Sequence, residues 1–389
     1  MNILHLTPYY APAYAFGGVV RSVEGMTRAL ARLGHTVTVL TTDAFTISSR
    51  YTGPSEEIIN GVRVLHATNF SHHLRGRLNL STPARMQALA REILPEVDVI
   101  HCHEFRTMEN LLVTPIAAEQ NKPLILSPHG TLAQHTGRSH LKVAWDKMLS
   151  PIVAQRFSHV IGLTTQEIAE VQTLWADFGH TRPQFNVIPN GIDPQEYADL
   201  NGREAFRQRY GLDDGPVCLF MGRLHPRKGV DVLIQAFKAA NIPGSWLLIV
   251  GPDEGMMERI APMLDARMIV TGYLEGRDRL AAFAAADMFA LPAVGEGLPM
   301  VILEAMGAGL PVIVSPECNM PEVAACGAGL EVIPQPEPLS RALSQLLTNA
   351  SLRQEMQQRG RQLVRNHFTW DAVALKLEQV YRSHLAVTE

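Results

Sequence analysis

The sequence predicts an α/β protein with two domains, each built around a parallel sheet of the Rossmann type. Short runs rich in Val, Ile and Leu alternate with stretches of helical periodicity, which is typical of parallel strands covered by helices on both faces. The length of 389 residues suits two domains with separate cores. The pattern breaks at Val187–Asp193, where Pro189 precedes Asn-Gly, and this predicts the link between the domains. We expect domains at about 1–190 and 191–368.

The first domain opens with a strand, a glycine loop, a helix and a second strand, as a Rossmann-like unit does. These strands are predicted at Ile3–Thr7 and Thr36–Thr41, and apolar residues at helical spacing predict a helix from Gly18 onward. The loop contains only Gly17-Gly18 rather than G-x-G-x-x-G, so it is a poor dinucleotide fingerprint. A turn that needs positive φ would also account for both glycines. Further strands are predicted at 62–67, 97–101, 124–127, 160–163, 217–221, 246–250, 268–270, 288–291 and 312–314.

Composition and charge narrow the class of protein. The chain is 46% apolar and 19% charged, which is ordinary for a globular enzyme. Four cysteines without paired spacing favour a reducing compartment and no zinc site. Residues 1–190 hold 16 Lys and Arg against 14 Asp and Glu, a balance too weak for a nucleic-acid-binding protein. The first residues read as a strand rather than a signal peptide, and no uncharged apolar run has membrane-spanning length, so we expect a cytoplasmic protein.

A phosphate site is predicted in the second domain, after the strand at 288–291. A glycine-rich loop follows this strand, and a helix is expected over about 300–307 with Pro299 in its first turn. The free N–H groups and positive dipole end of such a helix start attract phosphate. Glu296 in the loop and Glu304 on the helix lie on either side of that helix start. Because phosphate repels carboxylates, we expect both to accept hydrogen bonds from sugar hydroxyls.

Two cations predict a second phosphate contact. Arg223 and Lys228 follow the strand at 217–221 and precede a helix expected over 230–239. An Arg can bind a phosphate side-on through two N–H groups, and a Lys adds a point charge. The lysine does not follow a G-x-x-x-x-G run, so this is not a P-loop. Two solvated surface cations would be the simpler interpretation.

Two segments of the second domain carry a resemblance to a known family. The first reads EGLPMVILEAMGAGLPV from Glu296, and it resembles the E-x7-E region of retaining glycosyltransferases of the GT-B fold, family 4. The second reads GRLHPRKG from Gly222, and it is similar to the family's G-R-x-x-x-x-K-G. The resemblance implies two Rossmann-like domains that face each other across a cleft, with a C-terminal helix at 369–389 crossing back to the first. It also implies transfer of a sugar from a nucleotide diphosphate sugar to an acceptor hydroxyl, with retention at the anomeric carbon.

The resemblance also implies roles for particular residues. Glu296 would hold the sugar, Glu304 the ribose, and His129, which precedes Gly130 at the end of a predicted strand, would position the sugar. Tyr273 or Leu274 would cover the base. Catalysis is assigned to Glu296, His129, Arg223 and Lys228. Donor binding is assigned to Gly17, Gly18, Arg223, Lys228, Tyr273, Leu274, Glu296, Gly297, Leu298, Pro299, Met300, Val301 and Glu304. Since protein cations would neutralise the diphosphate, we expect neither a metal ion nor a cofactor.

Histidines in the first domain raise the question of a metal site. His101 and His103 alternate on one predicted strand and therefore point to the same face, so both could bind one ion. We expect no third or fourth ligand near them, and therefore no metal. A lone histidine such as His129 is more often structural than catalytic, and only the resemblance favours a functional role.

Two segments of the first domain are richer in basic residues than their surroundings. One carries Arg75, Arg77, Arg85 and Arg91, and the other carries Arg138, Lys142, Lys147 and Arg156. The second segment predicts a helix over about 141–155 with Leu141, Trp145 and Leu149 four apart. Such a face could lie on an anionic membrane or pack into the core, and the sequence does not decide between them. The acceptor could be a glycan, a lipid-linked sugar or a small molecule.

Three other functions remain open at this point. A GT-B sugar-nucleotide epimerase would need an acid/base pair that the sequence does not show. A phosphorylase would need a lysine-bound pyridoxal phosphate. A non-catalytic subunit that binds sugar nucleotides would not need Glu296, Glu304, Arg223 and Lys228 together.

Overall fold

The computed structural model describes residues 1–46, 48–71, 80–132, 139–179 and 183–385. The chain divides into two compact units, of which the first contains Met1–Gly191 with Trp370–Glu389 and the second contains Ile192–Thr369. Each unit has its own sheet with helices packed against it. Two Rossmann-like parallel-sheet domains are the architecture that the sequence predicts.

The first unit contains an eight-stranded sheet in the order β3-β4-β2-β1-β5-β6-β7-β8, in which β3 is antiparallel to β4 and all other pairs are parallel. Its strands are β1 Asn2–Leu6, β2 Thr36–Thr42, β3 Glu56–Ile59, β4 Val62–Ala67, β5 Val99–His103, β6 Leu124–Ser127, β7 His159–Gly162 and β8 Gln184–Val187. The α-helices described in this unit are α1 Gly18–Arg32, α2 Met86–Ile93, α3 Met108–Glu119, α4 Ser139–Met148, α5 Ser150–Ala154, α6 Thr165–Phe178 and, from the C-terminus, α15 Trp370–Leu385.

The second unit contains a six-stranded, fully parallel sheet in the order β11-β10-β9-β12-β13-β14. Its strands are β9 Val217–Met221, β10 Trp246–Val250, β11 Met268–Gly272, β12 Met288–Leu291, β13 Val312–Val314 and β14 Gly329–Glu331. Its α-helices are α7 Arg203–Tyr210, α8 Val230–Ala240, α9 Met257–Ile260, α10 Gly276–Ala285, α11 Met300–Gly307, α12 Glu322–Ala325, α13 Pro336–Thr348 and α14 Ala350–His367.

The central strands of both sheets are buried along their whole length. Every residue of β5 and of β9 is buried, as the continuous apolar run of β9 predicts for a strand covered on both faces, and β5 includes the buried His101 and His103. In the first unit the largest core side chains include Trp175 and Phe105, whose rings lie 4.9 Å apart. The ends of these rigid strands carry the loops in which the candidate site residues lie.

The last helix belongs to the first unit, which confirms the predicted return of the C-terminus. α15 packs against α1, and the Arg32 guanidinium pairs with Asp371 at 2.7 Å. Gly25 permits this close approach, because a Cβ at that position would lie 2.1 Å from the Trp370 ring. At the other end of α15, the Tyr381 hydroxyl lies 2.7 Å from His101 Nδ1.

Several predicted elements differ from those in the structure. The strand predicted at 97–101 lies at Val99–His103, and β3, β8 and β14 were not predicted because they are short edge or near-edge strands with charged or polar residues. The single helix predicted over 141–155 is wrong. It is two helices, α4 and α5, because Pro151 disfavours a continuous helix through the residues before it. Among the described residues no helix is both long enough and apolar enough to cross a membrane.

Candidate active site

The start of α11 is the centre of the site in the second unit. α11 begins directly after Pro299, whose φ of −67° and ψ of 116° make it the N-cap rather than part of the first turn as predicted. The N-cap residue provides no side-chain hydrogen bond, and the N–H of Ile302 donates to the carbonyl of Pro299 at 3.1 Å. Met300 and Leu298 are buried on either side of this point. The helix start is therefore suited to bind an anion through its N–H groups.

Side chains from other parts of the second unit fix the loop before α11. Asn319 Nδ2 donates to the carbonyls of Glu296 at 2.6 Å and Gly297 at 3.3 Å. The N–H of Gly295 donates to Glu317 Oε2 at 2.8 Å, and the Arg227 guanidinium donates to the carbonyl of Gly295. This loop is therefore preorganised by three side chains that the sequence alone did not identify.

Glu296 forms an ion pair with Lys228, one of the two predicted phosphate-binding cations. Its Oε2 lies 2.9 Å from Lys228 Nζ, and its Oε1 lies 3.7 Å from the Arg227 guanidinium. The Glu296 and Lys228 side chains are 12% and 15% exposed, so solvent screens this pair less than a surface pair. The predicted sugar-holding carboxylate and the predicted phosphate-binding lysine therefore occupy one site.

The position of Lys228 follows from the tight turn before α8. Pro226–Lys228 form one turn of 3₁₀ helix, and Gly229 then adopts φ 67° as the N-cap of α8. A Cβ at Gly229 would lie 2.2 Å from the carbonyl oxygen of Pro292, so only glycine fits. The carbonyl of Arg227 accepts from the N–H of Val294 at 2.7 Å, which ties this turn to the loop that carries Glu296.

Arg223 has a different partner. Its Nη1 donates to both carboxylate oxygens of Glu254, at 2.9 Å and 3.0 Å, and its side chain is about half exposed. The neighbouring Asp253 accepts from three backbone N–H groups at 2.8–3.0 Å, which fixes the loop that carries Glu254. No sequence pattern distinguishes Glu254 from the other acidic residues of the chain.

Glu304 lies deeper than Glu296. Its side chain is 3% exposed and pairs with the Arg279 guanidinium, which also donates to the Tyr197 hydroxyl at 3.5 Å. Burial disfavours the charge on Arg279, but Glu304 and the Tyr197 hydroxyl together raise the pKa of Arg279 above its usual value. Burial, followed by the charge of Glu304, raises the pKa of Tyr197. Arg279, a residue that the sequence reasoning missed, therefore fixes the orientation of the Glu304 side chain.

The other donor-binding residues assigned in the second unit differ in exposure. Tyr273 is 44% exposed and follows β11, whereas Leu274 is 9% exposed. Exposure therefore makes Tyr273 the more accessible of the two for a base. Val301, in the first turn of α11, is half-buried.

The remaining assigned residues belong to the first unit. Gly17 has φ 96° and precedes α1, which begins at Gly18, so the turn needs positive φ at one of the two glycines. His129 follows β6 and has φ 56°, an uncommon conformation for a residue other than glycine. The buried Glu167 accepts from the N–H of Gly130 at 2.5 Å and from that of Leu163 at 2.7 Å, which holds the His129 turn. Burial raises the pKa of Glu167 to about 7.

The structure corrects the expectation that no further ligand lies near His101 and His103. His5 on β1 is in register with His101 on β5, and one nitrogen from each of these three histidines lies within 4.8 Å of the others. Both ring nitrogens of His101, however, have hydroxyl partners, Tyr381 at 2.7 Å and Ser127 at 2.8 Å. The described residues therefore contain a histidine cluster that the sequence could not reveal, because His5 is distant along the chain.

Two family models match this chain, one in each half. The model described as "Glycosyltransferase Family 4" matches residues 16–196, and the model described as "Glycosyl transferases group 1" matches residues 202–363. An uncharacterised glycosyltransferase of Methanocaldococcus jannaschii is 28% identical over 98% of this chain and 98% of its own length. A GDP-mannose-dependent monoacylated alpha-(1-6)-phosphatidylinositol monomannoside mannosyltransferase of Corynebacterium glutamicum is 34% identical, over 52% of this chain and 57% of its own.

A solved structure shows the same fold. HepE of Anabaena, in complex with UDP and glucose, superposes with a TM-score of 0.74 at 21% identity, over 98% of this chain and 100% of the other. This similarity and the two-sheet architecture described above establish the fold class as GT-B. Both motifs, at residues 222–229 and 296–312, lie within residues 202–363, which the model described as "Glycosyl transferases group 1" matches. The chain belongs to the glycosyltransferases of family 4, with the GT-B fold.

Proposed function

We propose that this glycosyltransferase is a retaining, metal-independent enzyme. It transfers a sugar from a nucleotide diphosphate sugar to an acceptor hydroxyl in the synthesis of a surface glycan or glycolipid. The observation that supports this most strongly is the contact between Glu296 and Lys228, in a loop that leads to the start of α11. A sugar-binding carboxylate, a phosphate-binding cation and an anion-binding helix start are the parts that a diphosphate sugar requires.

In this proposal the diphosphate replaces carboxylates as the partner of the two cations. Arg223 exchanges Glu254 for a phosphate oxygen, and Lys228 exchanges Glu296 for another. The cations and the helix start then stabilise the negative charge that develops as the bond between sugar and diphosphate breaks. No divalent ion is needed for that charge, which is the physical basis for metal independence.

The same exchange releases Glu296 to bind the sugar. A carboxylate accepts hydrogen bonds from two hydroxyl groups at once, so Glu296 can hold neighbouring hydroxyls of the donor sugar. Glu304, fixed by Arg279, binds the ribose hydroxyls. For His129 and the Gly17-Gly18 loop of the first unit, the donor-binding roles stay predictions. The relatives support a nucleotide sugar donor, since the Corynebacterium glutamicum relative is GDP-mannose-dependent and HepE binds UDP and glucose.

A donor screen tests this function directly. Purified protein in EDTA is incubated with UDP-, GDP- and ADP-sugars, and release of the nucleoside diphosphate is followed with and without simple glycoside acceptors. We expect slow hydrolysis of one donor class, faster release with an acceptor, and a product whose anomeric configuration by NMR matches that of the donor. Binding without any turnover would favour a non-catalytic subunit, an inverted product would contradict retention, and activity that requires added Mg²⁺ or Mn²⁺ would contradict metal independence.

Loss of either predicted phosphate-binding cation, Arg223 or Lys228, should weaken phosphate binding. Arg223→Ala and Lys228→Ala should each reduce the binding free energy of the preferred nucleoside diphosphate by about 1.5–3 kcal/mol, the range for hydrogen bonds to charged groups. Titration calorimetry measures the binding free energy of the diphosphate. The nucleoside without phosphate is the matched ligand, and it should bind the parent and both variants equally. Arg341→Ala, which removes an exposed cation of the same unit, is the control. Unchanged diphosphate affinity in both variants would contradict phosphate binding by Arg223 and Lys228.

We also propose that the protein acts in the cytoplasm and contacts the inner membrane surface through α4 and α5. The predicted Leu141, Trp145 and Leu149 stripe is not the exposed face, since Trp145 and Leu149 are half-buried and the Leu141 side chain lies outside the described residues. Instead Val143, Met148 and Ile152 are exposed, at 38%, 70% and 46%. Lys147 on α4 is exposed beside them. Arg75, Arg77 and Arg138 lie outside the described residues, and Arg85 and Arg91 are exposed on or next to α2.

Vesicle sedimentation checks the membrane contact. The parent protein should pellet with anionic phospholipid vesicles at low salt and dissociate at high salt, because each nearby cation contributes about 1 kcal/mol at such a surface. Met148→Ser with Ile152→Ser should lower binding, and Lys147→Glu should lower it further. Ile333→Ser, at an exposed apolar residue of the second unit, is the control and should bind like the parent. A parent protein that stays in the supernatant would favour an enzyme with a soluble acceptor.

A further inference from the structure

The Glu296 carboxylate has a cation at each of its two oxygens. Lys228 Nζ lies 2.9 Å from Oε2, and the Arg227 guanidinium lies 3.7 Å from Oε1. The shorter contact is a hydrogen bond between charged groups, whereas the longer one is an ion pair without a hydrogen bond. Lys228 is therefore the nearer partner of the carboxylate, and Arg227 is a second partner that occupies the other oxygen.

Arg227 is fixed to the loop that carries Glu296. Its guanidinium donates to the carbonyl of Gly295 and, through Nε at 3.4 Å, to the carbonyl of Val294. The backbone of Arg227 is held as well, because its carbonyl accepts from the N–H of Val294 at 2.7 Å and its N–H donates to His225 Nδ1 at 3.2 Å. These contacts keep the guanidinium beside the carboxylate when other partners change.

Lys228 is held by fewer contacts than Arg227. Within the part of the chain that the structure describes, Glu296 is the one ion-pair partner of the Lys228 side chain. An ammonium group on a flexible four-carbon stem can turn from a carboxylate to a phosphate without moving the backbone. The two neighbouring cations therefore differ in what they can do. Lys228 can change its partner, whereas Arg227 stays beside Glu296.

A change of partner by Lys228 leaves Glu296 in need of another positive charge. The Glu296 side chain is 12% exposed, so water screens its charge weakly. A diphosphate bound to Lys228 would repel the nearby carboxylate, and a poorly solvated carboxylate without a counter-ion is costly. Arg227 is the cation in position to offset both effects.

We propose that Arg227 is a positioning residue that holds Glu296 through Oε1 while Lys228 binds the diphosphate, which leaves Oε2 to accept a hydrogen bond from a hydroxyl of the donor sugar. This inference rests on the proposed function, because that function brings the diphosphate to Lys228 and the sugar to Glu296. Arg227 touches neither the phosphate nor the sugar in this arrangement. Donor binding exchanges one ion pair of Glu296 and keeps the other.

A double-mutant cycle on binding tests whether Arg227 acts through Glu296. The parent, Arg227→Gln, Glu296→Gln and the double variant are titrated calorimetrically with UDP, GDP and ADP. For the diphosphate that binds the parent most tightly, we expect Arg227→Gln to weaken binding roughly fivefold, because Glu296 then competes more strongly for Lys228. In the Glu296→Gln background the same change should alter the affinity by less than about twofold. Equal weakening in both backgrounds would overturn the proposal and indicate a direct contact between Arg227 and phosphate.

Two variants of Arg227 separate its charge from its hold on the loop. Arg227→Lys keeps the charge, whereas Arg227→Gln keeps an N–H donor for the Gly295 carbonyl and loses the charge. We expect Arg227→Gln to lower kcat for sugar transfer roughly tenfold with a smaller change in the KM of the donor, and Arg227→Lys to retain most of the activity. The reverse order, with Arg227→Gln close to the parent and Arg227→Lys impaired, would reduce Arg227 to a loop anchor and overturn its role as counter-ion.

The control is Arg209→Gln, which removes an exposed arginine of the same unit that pairs with Asp278 at 3.0 Å. It should leave diphosphate affinity and kcat unchanged. Coupling between Arg227 and Glu296 in the binding cycle, in a protein that transfers no sugar, would support the exchange of ion pairs and contradict the proposed function. Sugar transfer without such coupling would support the proposed function and contradict the role of Arg227.

Discussion

Replacing Glu296 with Gln should lower sugar transfer by about 100-fold or more, the cost of a misplaced reacting group. The same change should tighten the binding of the free nucleoside diphosphate. Both effects follow from the contact of Glu296 with Lys228 at 2.9 Å. The carboxylate holds the sugar for reaction, but it also competes with phosphate for the lysine. A glutamine keeps the shape and loses the charge, so it cannot compete in this way.

Steady-state kinetics and calorimetric titration of the diphosphate measure the two effects separately. Glu254→Gln is the matched control, because it neutralises the carboxylate partner of the other cation, Arg223. It should also tighten diphosphate binding but leave kcat within a few-fold of the parent. Glu304→Gln should instead weaken binding of both nucleotide and nucleotide sugar. If Glu296→Gln and Glu304→Gln change nucleotide affinity in the same direction, the division of roles between these carboxylates is wrong.

Acidification from pH 6.5 to 4.5 should destabilise the first unit steeply. Burial is the main cause that lowers the pKa of five histidines of this unit below the usual 6.5, namely His5, His101, His103, His129 and His159. The values are about 3 for His5 and about 4 for His129 and His159. The unfolded chain therefore binds protons in this range that the folded chain does not. The stability that these histidines contribute is complete above pH 6.5 and is lost as the pH falls.

Three carboxyl groups of the same unit act in the opposite direction. Burial raises the pKa of Glu104 and Glu167 to about 7 and also raises that of Glu109, from a usual 4.5. Glu104 and Glu167 contribute stability that is complete below pH 4.5 and is lost as the pH rises through about 7, and Glu109 acts in the same direction. The histidines with lowered pKa values, which also include His35 and His384, outnumber these carboxyl groups, so we expect unfolding to take up protons between pH 4.5 and 6.5. Each net proton taken up makes the free energy of unfolding fall by about 1.4 kcal/mol per pH unit of acidification.

Urea unfolding at several pH values, followed by the fluorescence of the buried Trp175, measures this slope. His159→Gln should reduce it by about one proton. His367→Gln, at an exposed histidine of the second unit, should leave it unchanged. Stability that stays constant or rises on acidification would show that the histidines do not remain neutral in the folded protein.

The sequence predicted those parts of the site that are local in the chain. The start of α11, Glu296, Lys228 and the turn at Gly229 lie within short motifs whose chemistry can be read from spacing alone. The parallel sheets were also predictable, because buried parallel strands are continuous apolar runs. The assignments of sugar, ribose and base contacts to individual residues stay predictions until the variants described above are measured.

The parts that could not be predicted depend on packing between distant segments. Glu254 reaches Arg223, and Arg279 reaches Glu304, only because the sheet brings their loops and helices together. A sequence with 38 acidic residues gives no means of selecting these pairs. The histidine cluster depends on β1 lying beside β5, which is a matter of strand order rather than of any local pattern. The break between α4 and α5 was predictable in principle from Pro151.

The place of α15 in the first unit has a consequence for biosynthesis. Because Trp370 and Tyr381 complete a unit that otherwise ends at Gly191, the ribosome must make almost the whole chain before that unit has all its parts. The second unit is continuous in sequence and can be finished earlier, although it is translated later than most of the first. Until then His101 lacks the tyrosine hydroxyl that it meets in the native fold. Until α15 has been made, the surface of α1 that it covers in the native fold is therefore open to chaperones.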